Sequence, residues 1–482
     1  MNPSLLFNLS DGTSLSYELE LVEQEALFDR GIVAIDGDPE VLPVSRFLGD
    51  PQNGPTNGGP CPAPRLLIPW ACVTVCNAIG SVNSMNSTST TVPVFSSAAT
   101  ASGEAVTRSR IASIDIMRGL VILLMLVDHV RERLYLHMQV SDPMDVTSTS
   151  PGLFFTRWSA HFCAPTFIFL TGLSAWLYAH PARGGLRSPS TFLFKRGIFL
   201  LFLEMALINF SWLGSYQTLW LQVIWAIGLS MIALSLLVKL RYWIIGALGF
   251  LIVFGHNLLT PISFSPGEFG YSLWTILHDR GFLLDSETLR IKISYPVLPW
   301  IGVILLGYFA GPLYARAVDS VHRRKMLLAL GLGCLALLLV LRGFNLYGET
   351  LPWVDGQTAL QTLMSFVNFT KYPPSLSFLL MTLGVMFLLL AWFENRGGRM
   401  PDILETFGSV PMFFYILHLY VLLVGYEILL VIFGPNHGER FGVDHLWWIW
   451  LIAGLLSVLL YFPAQAFARF KHGTNRAWAK YL

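Results

Sequence analysis

Charge is scarce in this chain. Asp, Glu, Lys and Arg together make up 13% of its 482 residues, about half the share of a soluble domain. A water-facing surface for a globular fold of this length cannot be built from so few ionic groups. Basic excess is also missing. Lys and Arg number 31 against 30 Asp and Glu, for a net charge of +1, which argues against a nucleic-acid partner. Cysteine is sparse: Cys61, Cys72, Cys76, Cys163 and Cys334 are scattered. Their spacing matches neither a zinc site nor a disulfide framework, so no metal is expected. Apolar residues fill the chain instead, at 54%, with a mean hydropathy of +0.57. The expected fold class is all-α, a polytopic membrane protein whose main partner is the lipid bilayer.

Residues 1–110 differ from the rest and read as a disordered or spurious N-terminal extension. The first sixty are acidic and turn-rich, as in Asp50 to Pro60, and 81–105 are rich in Ser, Thr and Ala. The apolar run Leu66 to Gly80 is too short to span. Met85 opens a plausible short tail, so translation is expected to start there. Residues 111–482 form one domain of about ten transmembrane helices. They fall near 113–133, 158–180, 195–214, 218–238, 241–258, 296–315, 325–342, 373–392, 407–433 and 445–468. With both ends of this region inside, inside loops carry about 18 Lys and Arg and outside loops about 9. The outside loops 134–157, 259–295 and 343–372 are long enough for binding roles.

The first span holds a polar stripe. Ser113 to His129 is apolar enough to cross a bilayer, yet it contains Asp115, Arg118, Asp128 and His129. Eleven helical steps separate Arg118 from His129, a net rotation of about 20° and a rise of roughly 16 Å. The two therefore share a face, with Asp115 able to pair with Arg118 three residues on. Charge at this depth calls for a partner or a polar cavity. Asp128 lies about 80° from the Arg118 face and can pair with Arg131. His161 opens the second span, where a short return loop could bring it beside His129. Lys195 and Arg196 begin the third span from inside and could receive phosphates, or serve only as a topology anchor. Glu204, two turns on, is expected in the polar cavity. His418 sits mid-span and could reach the cavity or bond a neighbouring helix.

These blocks resemble a known family. Ser113-Ile-Asp-Ile-Met-Arg-Gly, His129 and Ala164-Pro-Thr-Phe-Ile-Phe-Leu-Thr-Gly172 are similar to the heparan-α-glucosaminide N-acetyltransferase catalytic domain family. Further blocks are Leu221 to Met231, Tyr295 to Gly302, Lys371 to Ser375 and Phe407 to Tyr415, so the resemblance runs from about 110 to 480. The Arg118-to-His129 spacing is also similar to that of the type-three membrane acyltransferases. The resemblance implies a bacterial inner-membrane acyltransferase. Acetyl-CoA binds from the cytoplasm as co-substrate, and the extracytoplasmic acceptor is a sugar or glycan.

On that basis His129 is the expected general base, with a transient acyl carrier as its alternative role. His161 would relay and Asp128 would tune. Arg118, held by Asp115, would take the CoA phosphates with Lys195, Arg196 and Glu204 nearby. A homo-oligomer is compatible with this reading. The alternative is a transporter or flippase of a polar or glycan-lipid substrate, since intramembrane charge also marks translocation paths. No convincing internal repeat favours it. A scaffold for envelope assembly would leave the stripe unexplained.

Overall fold

The computed structural model describes residues 4–8, 14–18, 111–181, 185–394, 396–474 and 476–480. The chain divides into two units, Met1–Thr107 and Arg108–Leu482. Of the first, the described part is a hairpin. Strands β1 (Ser4–Asn8) and β2 (Ser14–Glu18) pair antiparallel, with Ser4 opposite Glu18. The Ser/Thr-rich segment and the expected start at Met85 lie outside the described residues.

The second unit is helical. It begins with α1 (Ala112–Leu134), α2 (Pro151–Ser159), α3 (Cys163–Ala179), α4 (Ser190–Leu203) and the short α5 (Asn209–Leu213). Strand β3 (Thr218–Leu221) follows, then α6 (Val223–Leu237), α7 (Tyr242–Gly255) and α8 (Tyr271–Leu277). Strands β4 (Gly281–Asp285) and β5 (Arg290–Ile293) precede α9 (Leu298–Phe309), α10 (Ser320–Gly343) and α11 (Ala359–Phe366). The last four helices are α12 (Leu376–Phe393), α13 (Arg399–Ser409), α14 (Pro411–Phe433) and α15 (Trp447–Gly473).

Every expected span contains a helix. Six stretches among the described residues are long and apolar enough to cross a membrane: 151–179, 242–259, 320–343, 376–393, 411–433 and 447–473. That fits a membrane protein. Two shorter apolar helical stretches, 223–237 and 298–314, fall below that length. Outward faces are apolar, for example Leu332, Leu339 and Val340 on α10 and Leu455, Val458 and Leu459 on α15. Trp447 and Trp448 lie partly exposed at the start of α15, where an aromatic belt meets headgroups.

The structure revises three expected boundaries. Residues 218–221 are a strand, not the start of a span. They pair parallel with β5, which also pairs antiparallel with β4. Thr218-Leu-Trp-Leu suits a pleated surface as well as a helix, and hydropathy does not separate the two. The span expected from 158 already begins at Pro151, whose fixed φ suits the first helical turn. The α-ladder then tightens to a 3₁₀ turn at Ala160–Phe162. Pro165 has no N–H to offer the carbonyl of His161, and its ring crowds that carbonyl. The span expected at 407–433 is two helices that break before Pro411.

Around α1 pack α13, α15, α14, α12 and α3. Backbone contact between α1 and α13 depends on Gly119 and Gly408. A Cβ on Gly119 would strike the Leu404 carbonyl, and one on Gly408 the Asp115 carbonyl. This close approach seats α13 directly against the Asp115–Arg118 end of the stripe.

Candidate functional site

A cavity of about 440 Å³ runs beside α1. Asp115, Arg118, Met125, Asp128 and His129 all line it. An α-helix puts residues eleven apart on one face, so the two ends of the stripe open into the same space. At the Arg118 end, Nη1 donates to Asp115 Oδ1 at 2.8 Å and Nη2 to Ser174 Oγ at 2.5 Å. Arg196 of α4 and Lys471 of α15 line the cavity as well. The Lys471 ammonium donates to the Ser409 carbonyl at 3.1 Å, which places it at the C-terminus of α13. Three cations and one carboxylate, from α1, α4 and α15, thus line one cavity.

At the other end the imidazole of His129 is held by a second histidine. His129 Nδ1 and His418 Nε2 are 2.7 Å apart, and His418 Nδ1 lies 2.8 Å from the Phe414 carbonyl. A carbonyl only accepts, so His418 Nδ1 carries the hydrogen and its Nε2 carries the lone pair. His129 Nδ1–H must then be the donor to His418. The result is an imidazole whose Nε2 lone pair is free of both bonds. Trp212 meets the His129 ring edge-on at 5.1 Å and Tyr415 at 5.9 Å, which fixes its plane.

Asp128 lines the cavity, but its carboxylate is engaged elsewhere. Oδ1 accepts from Arg131 Nε at 2.9 Å and Oδ2 from Arg157 Nη1 at 2.7 Å. All three residues are buried. The carboxylate thus joins α1 to α2, and both its oxygens already hold a cation, so it is a clamp in this structure and not a direct partner of His129.

Other expected residues stand apart from the cavity. His161 is buried on the 3₁₀ turn with its ring 5.2 Å from Phe378. Its neighbours Ala160, Cys163 and Ala164 line the cavity, while His161 is not among the lining residues. Adjacent helical residues point about 100° apart, so Arg196 faces in while Lys195 is exposed. Glu204 is fully buried but accepts from the Gln222 N–H at 3.0 Å, closing the N-terminus of α6. It occupies the first position of a π-helical turn, Glu204–Ile208, and is not among the residues lining the cavity.

Sequence reasoning missed several lining residues. Tyr295 and Lys371 come from connecting segments and carry no periodic signal. Lys471 reads in sequence as a topology charge, and Ser174 as one more small residue on an apolar helix. The Arg157 arm of the clamp is equally hidden in the sequence, where α2 falls largely within the expected 134–157 loop. Among the described residues no group of three His, Cys, Asp or Glu side chains could hold a metal ion.

Residues 110–340 match a family described as heparan-alpha-glucosaminide N-acetyltransferase, catalytic. The matched stretch carries Arg118, His129, Arg157 and Arg196, and stops short of Lys371, His418 and Lys471. No curated protein matches the chain.

Proposed function

Because residues 110–340 match the heparan-alpha-glucosaminide N-acetyltransferase catalytic family, we propose that this chain is a multi-pass inner-membrane acyltransferase. It takes an acetyl group from acetyl-CoA at the cytoplasmic end of the cavity and hands it to a sugar or glycan acceptor at the outer end. The observation that carries this reading is a single cavity lined by Arg118, Arg196 and Lys471 and also by His129. Both ends of a two-sided reaction open into one space.

The chemistry follows from the groups present. Guanidinium and ammonium groups suit the CoA phosphates, each charge-assisted hydrogen bond contributing about 1.5–3 kcal/mol. The apolar middle of the cavity, with Met125, Ala164, Leu200, Ile224 and Ile227, suits the uncharged arm that carries the thioester. His129 Nε2 takes the proton of the attacking acceptor group. His418 keeps that nitrogen in its basic tautomer, and through the Phe414 carbonyl it has a place for the positive charge that develops. The imidazolium returns its proton to the leaving thiolate.

Acetyl-CoA binding to the purified full chain in detergent tests the reading. Wild type is expected to bind saturably, and Arg118→Ala and Arg196→Ala to weaken binding by about tenfold or more each. A folded wild type that binds no acetyl-CoA, yet moves a polar solute in liposomes, would overturn the reading in favour of transport.

A further inference from the structure

Lys371 has no role in the scheme above, although it lines the same cavity. It is 4% exposed. Its position is set by the backbone: Lys371 N–H donates to Asp142 Oδ1 at 3.2 Å, and Tyr372 N–H donates to Oδ2 at 3.0 Å. The ammonium itself sits 5.2 Å from the centre of the Tyr372 ring. Among the described residues no carboxylate or carbonyl takes a hydrogen bond from it.

The other charged groups lining the cavity are engaged. Arg118 holds Asp115, Asp128 holds two arginines, Lys471 holds a carbonyl, and Arg196 lies over Phe192. Asp128, Glu132 and Asp142 act on the ammonium through space but take no hydrogen bond from it. Its N–H groups are therefore open to an oxygen that arrives or becomes negative in the cavity. Lys371 also lies within electrostatic range of His129 and Cys163, and Lys371 and His129 line the same cavity.

We propose that Lys371 is a catalytic residue that donates to the oxyanion of the tetrahedral intermediate in acyl transfer. The proposal rests on the acyltransferase reading. The acceptor's amine or hydroxyl gives its proton to His129 Nε2 as its lone pair attacks the thioester carbonyl carbon. The new bond forms and the carbonyl π pair moves onto oxygen, next to the Lys371 ammonium. Collapse restores the C=O bond and breaks C–S. The thiolate leaves with that electron pair and takes the proton back from His129. Lys371 keeps its proton throughout and supplies only charge and a hydrogen bond, so its contribution is largest when the oxygen is most negative.

The test measures thiol release from acetyl-CoA by the full chain in detergent, with water or glucosamine as nucleophile, beside acetyl-CoA binding. Lys371→Met is expected to lower kcat by about 10²–10³-fold. The acetyl-CoA Kd and the glucosamine KM should stay within about twofold. Lys371→Arg keeps the charge and should recover part of the loss, which separates lost charge from lost fold. An unchanged kcat in Lys371→Met overturns the proposal. So does a raised glucosamine KM at unchanged kcat, which would make Lys371 an anchor for the acceptor. Loss of acetyl-CoA binding in Lys371→Met, with binding kept in Lys371→Arg, overturns it in favour of donor binding. A wild type that neither binds acetyl-CoA nor releases thiol removes the acyltransferase reading itself, and this proposal with it.

Discussion

Single side chains in this molecule owe their properties to what holds them. In the proposed mechanism His129 serves as a base only while Nδ1 carries the hydrogen, and His418 supplies the acceptor that keeps it there. His418→Phe removes that acceptor and frees the tautomer. Its turnover is expected to fall, though less than the roughly 10²–10⁴-fold loss in His129→Ala. Acetyl-CoA affinity should be unchanged in both, and steady-state rates with binding curves check the order. Asp128 is a different case. Asp128→Asn leaves Arg131 and Arg157 buried without their common anion, a loss of about 3–5 kcal/mol. Thermal unfolding in detergent should show a clear drop in Tm for Asp128→Asn, while His418→Phe stays close to wild type. Equal stability of Asp128→Asn and wild type would return Asp128 to the list of chemical groups.

Elements place these residues, and the sequence disclosed them unevenly. The α1 stripe was readable because a helix preserves an eleven-residue spacing as one face, and the structure puts Arg118 and His129 on one cavity. Breaks at Gln222 and Val410 were not readable, since both lie between apolar segments and hydropathy averages across them. Lys371 and Tyr295 reach the cavity from segments that share no period with α1, so only the folded chain brings them there. The contact of α13 with α1 is similar in kind: two glycines far apart in sequence are compatible with one another only in space. Gly408→Ala drives a methyl group into the Asp115 carbonyl. The expected cost is about 1–3 kcal/mol, with weaker acetyl-CoA binding because the Asp115–Arg118 pair shifts; Tm and binding check both.

The loop at 141–149 has its own pH signature. Ser148 and Thr147 hydroxyls donate to Asp145 at 2.6 and 2.7 Å, and the Thr147 N–H at 2.8 Å. These hold its pKa down to about 2 from 3.8. A depressed carboxyl stabilises the folded loop above the unfolded pKa. That stabilisation is lost as pH falls from about 4 through about 2. Hydrogen exchange at Thr147 and Ser148 should accelerate across that window in wild type. In Asp145→Asn it should be insensitive to pH there once intrinsic exchange is allowed for.

At the scale of the whole molecule, the charge distribution and the cavity make one joint demand. If the proposed donor is right, the cation-rich end faces the compartment that holds CoA. Reporters inserted at Gly185 and at Glu287, two exposed positions, should label from opposite sides of the membrane, Gly185 from the cytoplasm. Labelling from the same side would require a different path for α4 to α8. On the proposed reading, α1 also fixes the angle between Arg118 and His129, which line one cavity. One residue inserted between Arg118 and His129 would advance the imidazole by about 100° and only 1.5 Å. Arg118 and His129 would then aim in different directions, and His129 would leave His418. The helix therefore acts as a shaft with two cams. On the proposed reading, a change in its length would set the phosphate anchor and the base out of register with each other.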